Sequence, residues 1–196
     1  MSYLIQTDEI SLANQERLRQ QAIRAAKERA LSLTLVTPGR EDRFSSLTER
    51  DADFVTDFIT WGGGAVVAIG GWNSMPLLVR GTAYNVFMDS AGVAVNPVVP
   101  NNTVVVFYKI SILTIAPADP VSMLWFRTGA SQNMKAQFDI EVLYSKLSAD
   151  GYFSKPVVFD PQEIMNVTVE ARVATLVTCR VRLGCFVIEP TQVTLI

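Results

Sequence analysis

From residue 31 onward the chain is divided into short apolar or alternating segments by groups of Gly, Pro, Asn, Asp and Ser. Short segments bounded by turn-forming residues are typical of β-strands. About ten of them follow one another without a second long helical pattern, which predicts a mainly β protein, an antiparallel β-sandwich or jelly roll. We expect the two longest, 103–115 and 176–189, near the middle of the sheets. The strand candidates are DFVTDFIT, AVVAIG, PLLVRG, AYNVFM, TVVVFYKISILTIA, VSMLWFR, MKAQFDIEVLYS, YFSKPVVF, IMNVTVEARV and LVTCRVRLGCFVIEP.

An N-terminal helix is predicted over residues 8–30, which contain neither Gly nor Pro and are rich in Ala, Gln, Arg and Glu. Thr7 or Asp8 is the expected N-terminal cap. A helix of this composition is marginally stable on its own in water, so it needs a surface to pack against.

The apolar face of this helix is shallow and rich in alanine. Helical periodicity places Leu12, Leu18 and Ile23 on it. Such a face is suited to lying against something flat. We therefore divide the chain into a helical arm, residues 1–36, and a β-sandwich domain, residues 37–196, and expect the arm to dock on a neighbouring subunit.

Charge is scarce in the β-domain. The whole chain has 18% charged residues and a net charge of −2, and the first 60 residues hold 18 of the 36 charges. Sparse charge on a sheet favours faces that a partner covers. The alternative is a monomeric sandwich whose outer faces carry Ser, Thr and Asn. The acidic balance, and an arm whose bases are matched by acids, argue against a nucleic-acid or membrane partner.

Catalytic and metal-binding patterns are weak. The chain has no histidine, which removes the commonest general base and transition-metal ligand. The glycine-rich stretch 61–72 lacks the Lys-Ser/Thr of a phosphate-binding loop. Asp139 and Glu141 are the best carboxylate pair for a glycosidase, but solvated acids on a strand explain them as well. We predict no enzyme activity, no cofactor, no metal and no catalytic residue.

The two cysteines, Cys179 and Cys185, lie six residues apart in one strand candidate. An extended strand separates such residues by about 20 Å, far beyond disulfide reach. They share one face with alternating apolar residues, so we expect free, buried thiols, which fit folding in a cytosol.

Tryptophans offer a second kind of site. Trp72 follows two glycines in a predicted loop and is the best candidate for an exposed protein contact. Trp61 or Trp72 beside polar groups would instead suit a carbohydrate- or receptor-binding module. Trp125, inside VSMLWFR, is expected in the core or in an interface.

A short polar N-terminus, a helical arm and a compact β-sandwich ending in the long strand CRVRLGCFVIEP resemble the small jelly-roll proteins of virus particles. Among these, the outline is most similar to bacteriophage capsid decoration, or cement, proteins. The resemblance implies a structural protein that forms homotrimers, bridges capsid or other shell subunits, and resides in the virion after folding in the host cytoplasm. The contact residues we expect are Leu12, Leu18 and Ile23 on the arm, and Trp72.

Overall fold

A computed structural model describes residues 2–33, 35, 46–52, 54–64, 73–77, 79–89, 91–114, 121–145, 150–172 and 177–191. The strands are β1 Leu4–Gln6, β2 Leu47–Asp51, β3 Asn73–Leu77, β4 Ala83–Asn85, β5 Val104–Thr114, β6 Val121–Thr128, β7 Asn133–Asp139, β8 Asp150–Phe159, β9 Met165–Ala171 and β10 Val177–Pro190. The helical segments are α1 Leu12–Ser32, a π-helical segment Phe54–Ile59, and 3₁₀ turns at Thr7–Glu9 and Glu141–Ser145.

The strands form two antiparallel sheets. One has the order β1-β8-β5-β10-β2, with β3 also pairing with β10, and the other has the order β4-β9-β6-β7. Their inner faces share one apolar core, so the predicted antiparallel sandwich is confirmed. The two longest strands, β5 and β10, pair with each other and lie inside the first sheet, as expected. The jelly-roll path of the chain stays a prediction.

The centre of the core is aromatic. The Phe126 ring of β6 lies 5.3 Å from the Phe107 ring, 5.4 Å from the Phe153 ring and 6.1 Å from the Phe138 ring, measured between centroids. Phe126 and Phe138 come from the smaller sheet, and Phe107 and Phe153 from the larger one. Edge and tilted ring contacts across the two sheets therefore hold the layers together.

Both cysteines lie on the inner face of β10, free and buried, which confirms the expectation from their spacing. Burial raises the pKa of the Cys179 thiol to about 12, because the core disfavours the thiolate. Burial likewise raises the pKa of the Cys185 thiol. These thiols act as small core side chains.

Helix α1 begins later than the sequence predicts. Ser11 is its N-cap, and the Ser11 hydroxyl accepts a hydrogen bond from the Asn14 backbone N–H. Thr7, one of the two caps we expected, begins a 3₁₀ turn instead. The residues before this turn form β1, which pairs with β8. A three-residue strand leaves too short a pattern for sequence reasoning to detect.

The helix packs on the protein's own sandwich. Its buried residues lie against five side chains on the outer face of the larger sheet, which are equally buried. The flat surface that the shallow face of the helix was expected to need is therefore the outer face of this sheet. The contact is made by Ala22, Ile23, Ala26 and Ala30 on the helix and Leu47, Val104, Val106, Phe186 and Ile188 on the sheet.

Ion pairs hold both sides of the helix to the β-domain. The Arg29 guanidinium donates two hydrogen bonds to the Asp160 carboxylate, at 2.8 and 2.5 Å. Lys27 Nζ lies 2.5 Å from Glu49 of β2. The hydrogen bond from Arg29 lowers the pKa of Asp160, and the hydrogen bond from Lys27 lowers the pKa of Glu49. A lowered carboxyl pKa in the folded state stabilises the fold above the unfolded pKa, near 4.

The Arg29–Asp160 pair is expected to make stability depend on pH. Asp160→Asn should lower the free energy of unfolding by on the order of 1 kcal/mol at pH 7. This difference from the wild type should shrink as the pH falls below about 4, where Asp160 of the unfolded chain becomes protonated, and should disappear once the pH is below the lowered pKa of Asp160 in the folded protein. Urea unfolding across this range measures it. Arg29→Gln removes the same pair and should give a matching profile. A wild-type advantage that persists in acid would contradict the assignment.

The predicted strand at residues 53–60 is wrong. Residues Phe54–Ile59 form a π-helical segment. Phe58 is fully buried against the Phe87 ring, 5.3 Å away, and the Phe107 ring, 5.6 Å away, so its burial does not require a strand. Asp57 accepts two hydrogen bonds from Arg50 of β2, at 2.7 and 2.9 Å. The ring contacts with Phe87 and Phe107, together with the local Arg50–Asp57 pair seven residues apart, hold this segment in its helical form.

Candidate interaction surfaces

The three predicted contact residues of the helix differ in their exposure to solvent. Ile23 is buried against the protein's own sheet, so it is not available to a neighbour. Leu12 is 81% exposed, and Leu18 is half-buried. Trp72 lies outside the described residues. Of the three helix positions, only Leu12 presents its side chain openly to solvent.

Trp61 does not form an open platform. Its ring is half-buried and meets the Phe58 ring edge to face, with the centroids 5.4 Å apart. It packs against the main core. The sugar-stacking role considered for Trp61 therefore lacks the exposed ring that it needs.

Asp139 and Glu141 do not form a facing carboxylate pair. Both side chains are exposed. Asp139 ends β7, and its carboxylate accepts a hydrogen bond from the Glu141 backbone N–H, at 2.9 Å. Glu141 starts a 3₁₀ turn, where the sequence predicted a continuing strand, and it lies 3.5 Å from Arg172. These contacts are those of a solvated turn, so we drop the glycosidase hypothesis.

The outer side of the smaller sheet carries a largely half-buried cluster that we call the Trp125 face. It is defined by Trp125 and Arg127 of β6, Gln137 of β7, and Asn166 and Thr168 of β9. Trp125 pairs across the strands with Gln137 and with Thr168, and Arg127 pairs with Asn166. The Arg127 guanidinium carbon lies 4.9 Å above the Trp125 ring. An arginine stacked on a tryptophan is a cation–π pair that partner proteins often engage.

The Trp125 ring points away from the sandwich interior. Its neighbours Leu124 and Phe126 are fully buried in the main core, whereas Trp125 is half-buried and does not belong to that core. Helix α1 packs on β5, β8 and β10, which all belong to the larger sheet. The helix thus covers one outer face of the sandwich and leaves the Trp125 face clear of it.

Two polar atoms on the Trp125 face lack hydrogen-bond partners. They are Asn166 Oδ1 and Thr168 Oγ1, and neither is accessible to solvent. Thr168 is 8% exposed although it points outward, because large neighbours such as Trp125 flank it on the pleated surface. Buried polar atoms without partners are rare in folded proteins.

The sequence placed Trp125 in the core or in an interface, and the structure places it on an outer face. Period two in β6 gives the signal, because Leu124 and Phe126 flank Trp125 and face the core. The sequence did not show which of the two sheet faces the helix covers. That choice decides whether Trp125 stays clear of the helix.

None of the helices in the described part of the chain is long and apolar enough to span a bilayer. Within the same ranges, no three His, Cys, Asp or Glu side chains come together in a way that could hold a metal ion. No protein-family model and no curated protein sequence matches this chain.

Proposed function

We propose that this protein is a non-enzymatic structural component of a virus particle, a capsid decoration or cement protein that associates through the Trp125 face. The observation that carries the association is a Trp125–Arg127 pair on a sheet face that helix α1 leaves clear. Two parts of this proposal rest on the resemblance of the sequence to capsid decoration proteins. They are the location in a virion and the shell protein as a second partner. The proposed assembly is a homotrimer.

Association through the face is favoured because two sheet edges are protected. The outer edge of β2 carries exposed Glu49, Arg50 and Asp51. On β8, Pro156 has no N–H to offer, and the Val158 carbonyl accepts a hydrogen bond from Lys135 Nζ at 2.9 Å. Edge charges and prolines disfavour pairing with another chain. Contact between copies along these two edges of the larger sheet is therefore disfavoured.

The composition of the Trp125 face fits a protein contact. Trp and Arg are the residue types most enriched among those that dominate binding energy. The residues around them, Gln137, Asn166 and Thr168, are uncharged, and charge is depleted at the centre of interfaces. Glu170, at the end of β9, and Asp139 supply a charged rim.

Trp125→Ala is expected to weaken association of the copies at least about thirtyfold, which corresponds to about 2 kcal/mol. The measurement is the solution mass by light scattering behind size exclusion, over a dilution series. The wild type should run as a trimer, and the variant should dissociate at higher concentration. Leu12→Ala is the control, because it removes an exposed apolar side chain from the helix and should leave the mass unchanged.

Other outcomes would redirect the proposal. A wild type that is monomeric throughout would contradict association through this face. If Leu12→Ala dissociates the trimer and Trp125→Ala does not, the contact lies on the helix, as the sequence alone predicted.

A carbohydrate-binding module is the second candidate. The supporting observation is that the half-buried Trp125 ring lies beside the exposed Gln137 amide on the neighbouring strand. Aromatic rings beside such groups can stack on sugars and bind their hydroxyls. A monomeric protein whose binding to a glycan array is lost on Trp125→Ala would favour this function over assembly.

A further inference from the structure

A pocket lies on the opposite outer face of the sandwich, beside the helix. We call it the Tyr108 pocket. It is a cavity of about 360 Å³ lined by Tyr108, Lys109, Ser111, Asp150, Arg182 and Gly184. This volume is within the range of small-ligand sites. The lining comes from the three adjacent strands β8, β5 and β10, which places it on the rigid centre of the larger sheet.

The strand register places the residues around the pocket in two rows that run across the three strands. One row runs Asp150, Ser111, Arg182 across the three strands, and the next runs Tyr152, Lys109, Gly184. Asp150 and Arg182 are thus two strands apart, about 10 Å between backbones. Asp150 pairs with Lys109 at 3.5 Å. The exposed Arg182 forms no ion pair with any described carboxylate.

A second arginine adds to the positive charge. Arg180 lies two residues before Arg182 on β10 and therefore points to the same outer face. Its Nε is buried from solvent and has no hydrogen-bond partner. The Asp51 and Glu16 carboxylates also act on Tyr108 and Tyr152 at the helix end of the pocket, and Arg19 of the helix lies 3.6 Å from Glu16 and 3.8 Å from Asp51. Arg180, Arg182, Lys109 and Arg19 thus stand beside Asp150, Asp51 and Glu16, which leaves a small excess of positive charge here in a chain whose net charge is −2.

Glycine at position 184 keeps the pocket open. A Cβ there would lie 2.9 Å from the Lys109 Cβ and 3.1 Å from the Tyr108 ring. The Tyr108 ring stacks on Phe186, with centroids 4.9 Å apart, and Phe186 in turn lies beneath the Arg19 guanidinium of the helix. These contacts hold the Tyr108 ring in place as one wall of the pocket, and Gly184 forms the floor beside it.

We propose that the Tyr108 pocket binds an oxyanion, the carboxylate or phosphate group of a ligand or partner, held by Arg182 with Lys109 and the Ser111 hydroxyl. Arginine recognises such planar or tetrahedral oxyanions through paired N–H donors. The site lies on the face of the sandwich opposite to Trp125 and does not depend on the proposed assembly. A ligand or partner bound in the Tyr108 pocket would give the protein a second contact, independent of the one proposed at the Trp125 face.

The test is a titration of the full-length protein with inorganic phosphate and, separately, with glutamate, followed by amide chemical shifts. A single oxyanion contact of this kind is expected to bind at about millimolar Kd, so the titration extends to about 20 mM. Arg182→Gln should weaken binding at least about tenfold, because it removes charge-assisted hydrogen bonds. Asp150→Asn should strengthen binding, because it releases Lys109 and removes a competing anion.

Arg80→Gln is the matched control, since Arg80 is also an exposed arginine but lies outside the pocket lining. It should leave binding unchanged. Opposite effects of the Arg182 and Asp150 variants support the site, whichever probe binds, and the preferred probe identifies the oxyanion as phosphate or carboxylate. The proposal is overturned if neither probe shifts the pocket amides, or if Arg182→Gln and Arg80→Gln behave alike. Solution mass, measured on the same variants, reports separately on the Trp125 face.

Discussion

A chain that lacks residues 2–33 is expected to lose its cooperative fold. The deletion removes β1 from the edge of β8 and uncovers five buried apolar side chains on the outer face of the larger sheet. Full burial of such a side chain stabilises by about 1.5–3 kcal/mol, so their exposure removes a large part of the roughly 5–15 kcal/mol available to a domain. The five side chains are Leu47, Val104, Val106, Phe186 and Ile188.

Circular dichroism melts and size exclusion measure this result. The truncated chain should aggregate or melt without a sharp transition. If it remains a soluble, cooperatively folded β-domain, residues 2–33 are an independent arm after all, and the contact in the structure contributes little.

Point variants in the helix test the packing of α1 on the sheet without shortening the chain. The side chain of Ala26 is fully buried between α1 and the sheet. Ala26→Asp therefore places a charge against the sheet and should lower the free energy of unfolding by more than about 3 kcal/mol. Ala13 is exposed in the first turn, where an added acid is neutral or mildly favourable. Ala13→Asp is therefore the matched control, and urea unfolding of both variants is the measurement. Equal stabilities would contradict the packing of α1.

The sequence predicted the sandwich because alternating segments and turn residues are local signals. Strands β5, β6, β8, β9 and β10 all lie within predicted segments or nearly match them. The π-helical segment Phe54–Ile59 escaped prediction, since its Phe58 ring is held by contacts with Phe87 and Phe107, which are distant in sequence. Periodicity cannot report such contacts.

The helix illustrates a different limit. Its existence and its shallow apolar face followed from composition, and Ile23 was correctly placed on that face. Its docking partner did not follow, because a flat apolar surface can belong to the same chain or to another one. Only the positions of Val104, Val106 and Phe186 under α1 settle that the surface is the protein's own. The interaction surface that we propose is therefore the Trp125 face and not the helix.

The Tyr108 pocket was beyond the reach of sequence reasoning for a related reason. Lys109, Asp150 and Arg182 come from three strands, and only their register places them around one cavity. An alternating strand shows that Arg180 and Arg182 share a face, but it does not show which acids stand opposite to them.

Phe126→Ala is expected to destabilise the protein by about 3–5 kcal/mol, because it leaves a cavity where rings from both sheets meet. The preceding residue provides the contrast. Trp125→Ala removes a larger side chain that does not belong to the main core, so its cost should be about 1 kcal/mol or less. Urea unfolding measured by circular dichroism compares the two variants under conditions in which both are monomeric.

Substitutions at these two adjacent positions of β6 should therefore affect different properties of the protein, one its stability and the other its association. Phe126→Ala should lower stability and, where it remains folded, keep its association, whereas Trp125→Ala should keep its stability and lose association. Similar losses of stability in both variants would place Trp125 among the core residues and remove the basis of the proposed contact. A stable, monomeric Trp125→Ala protein would instead show that one strand supports the fold with one face and the assembly with the other.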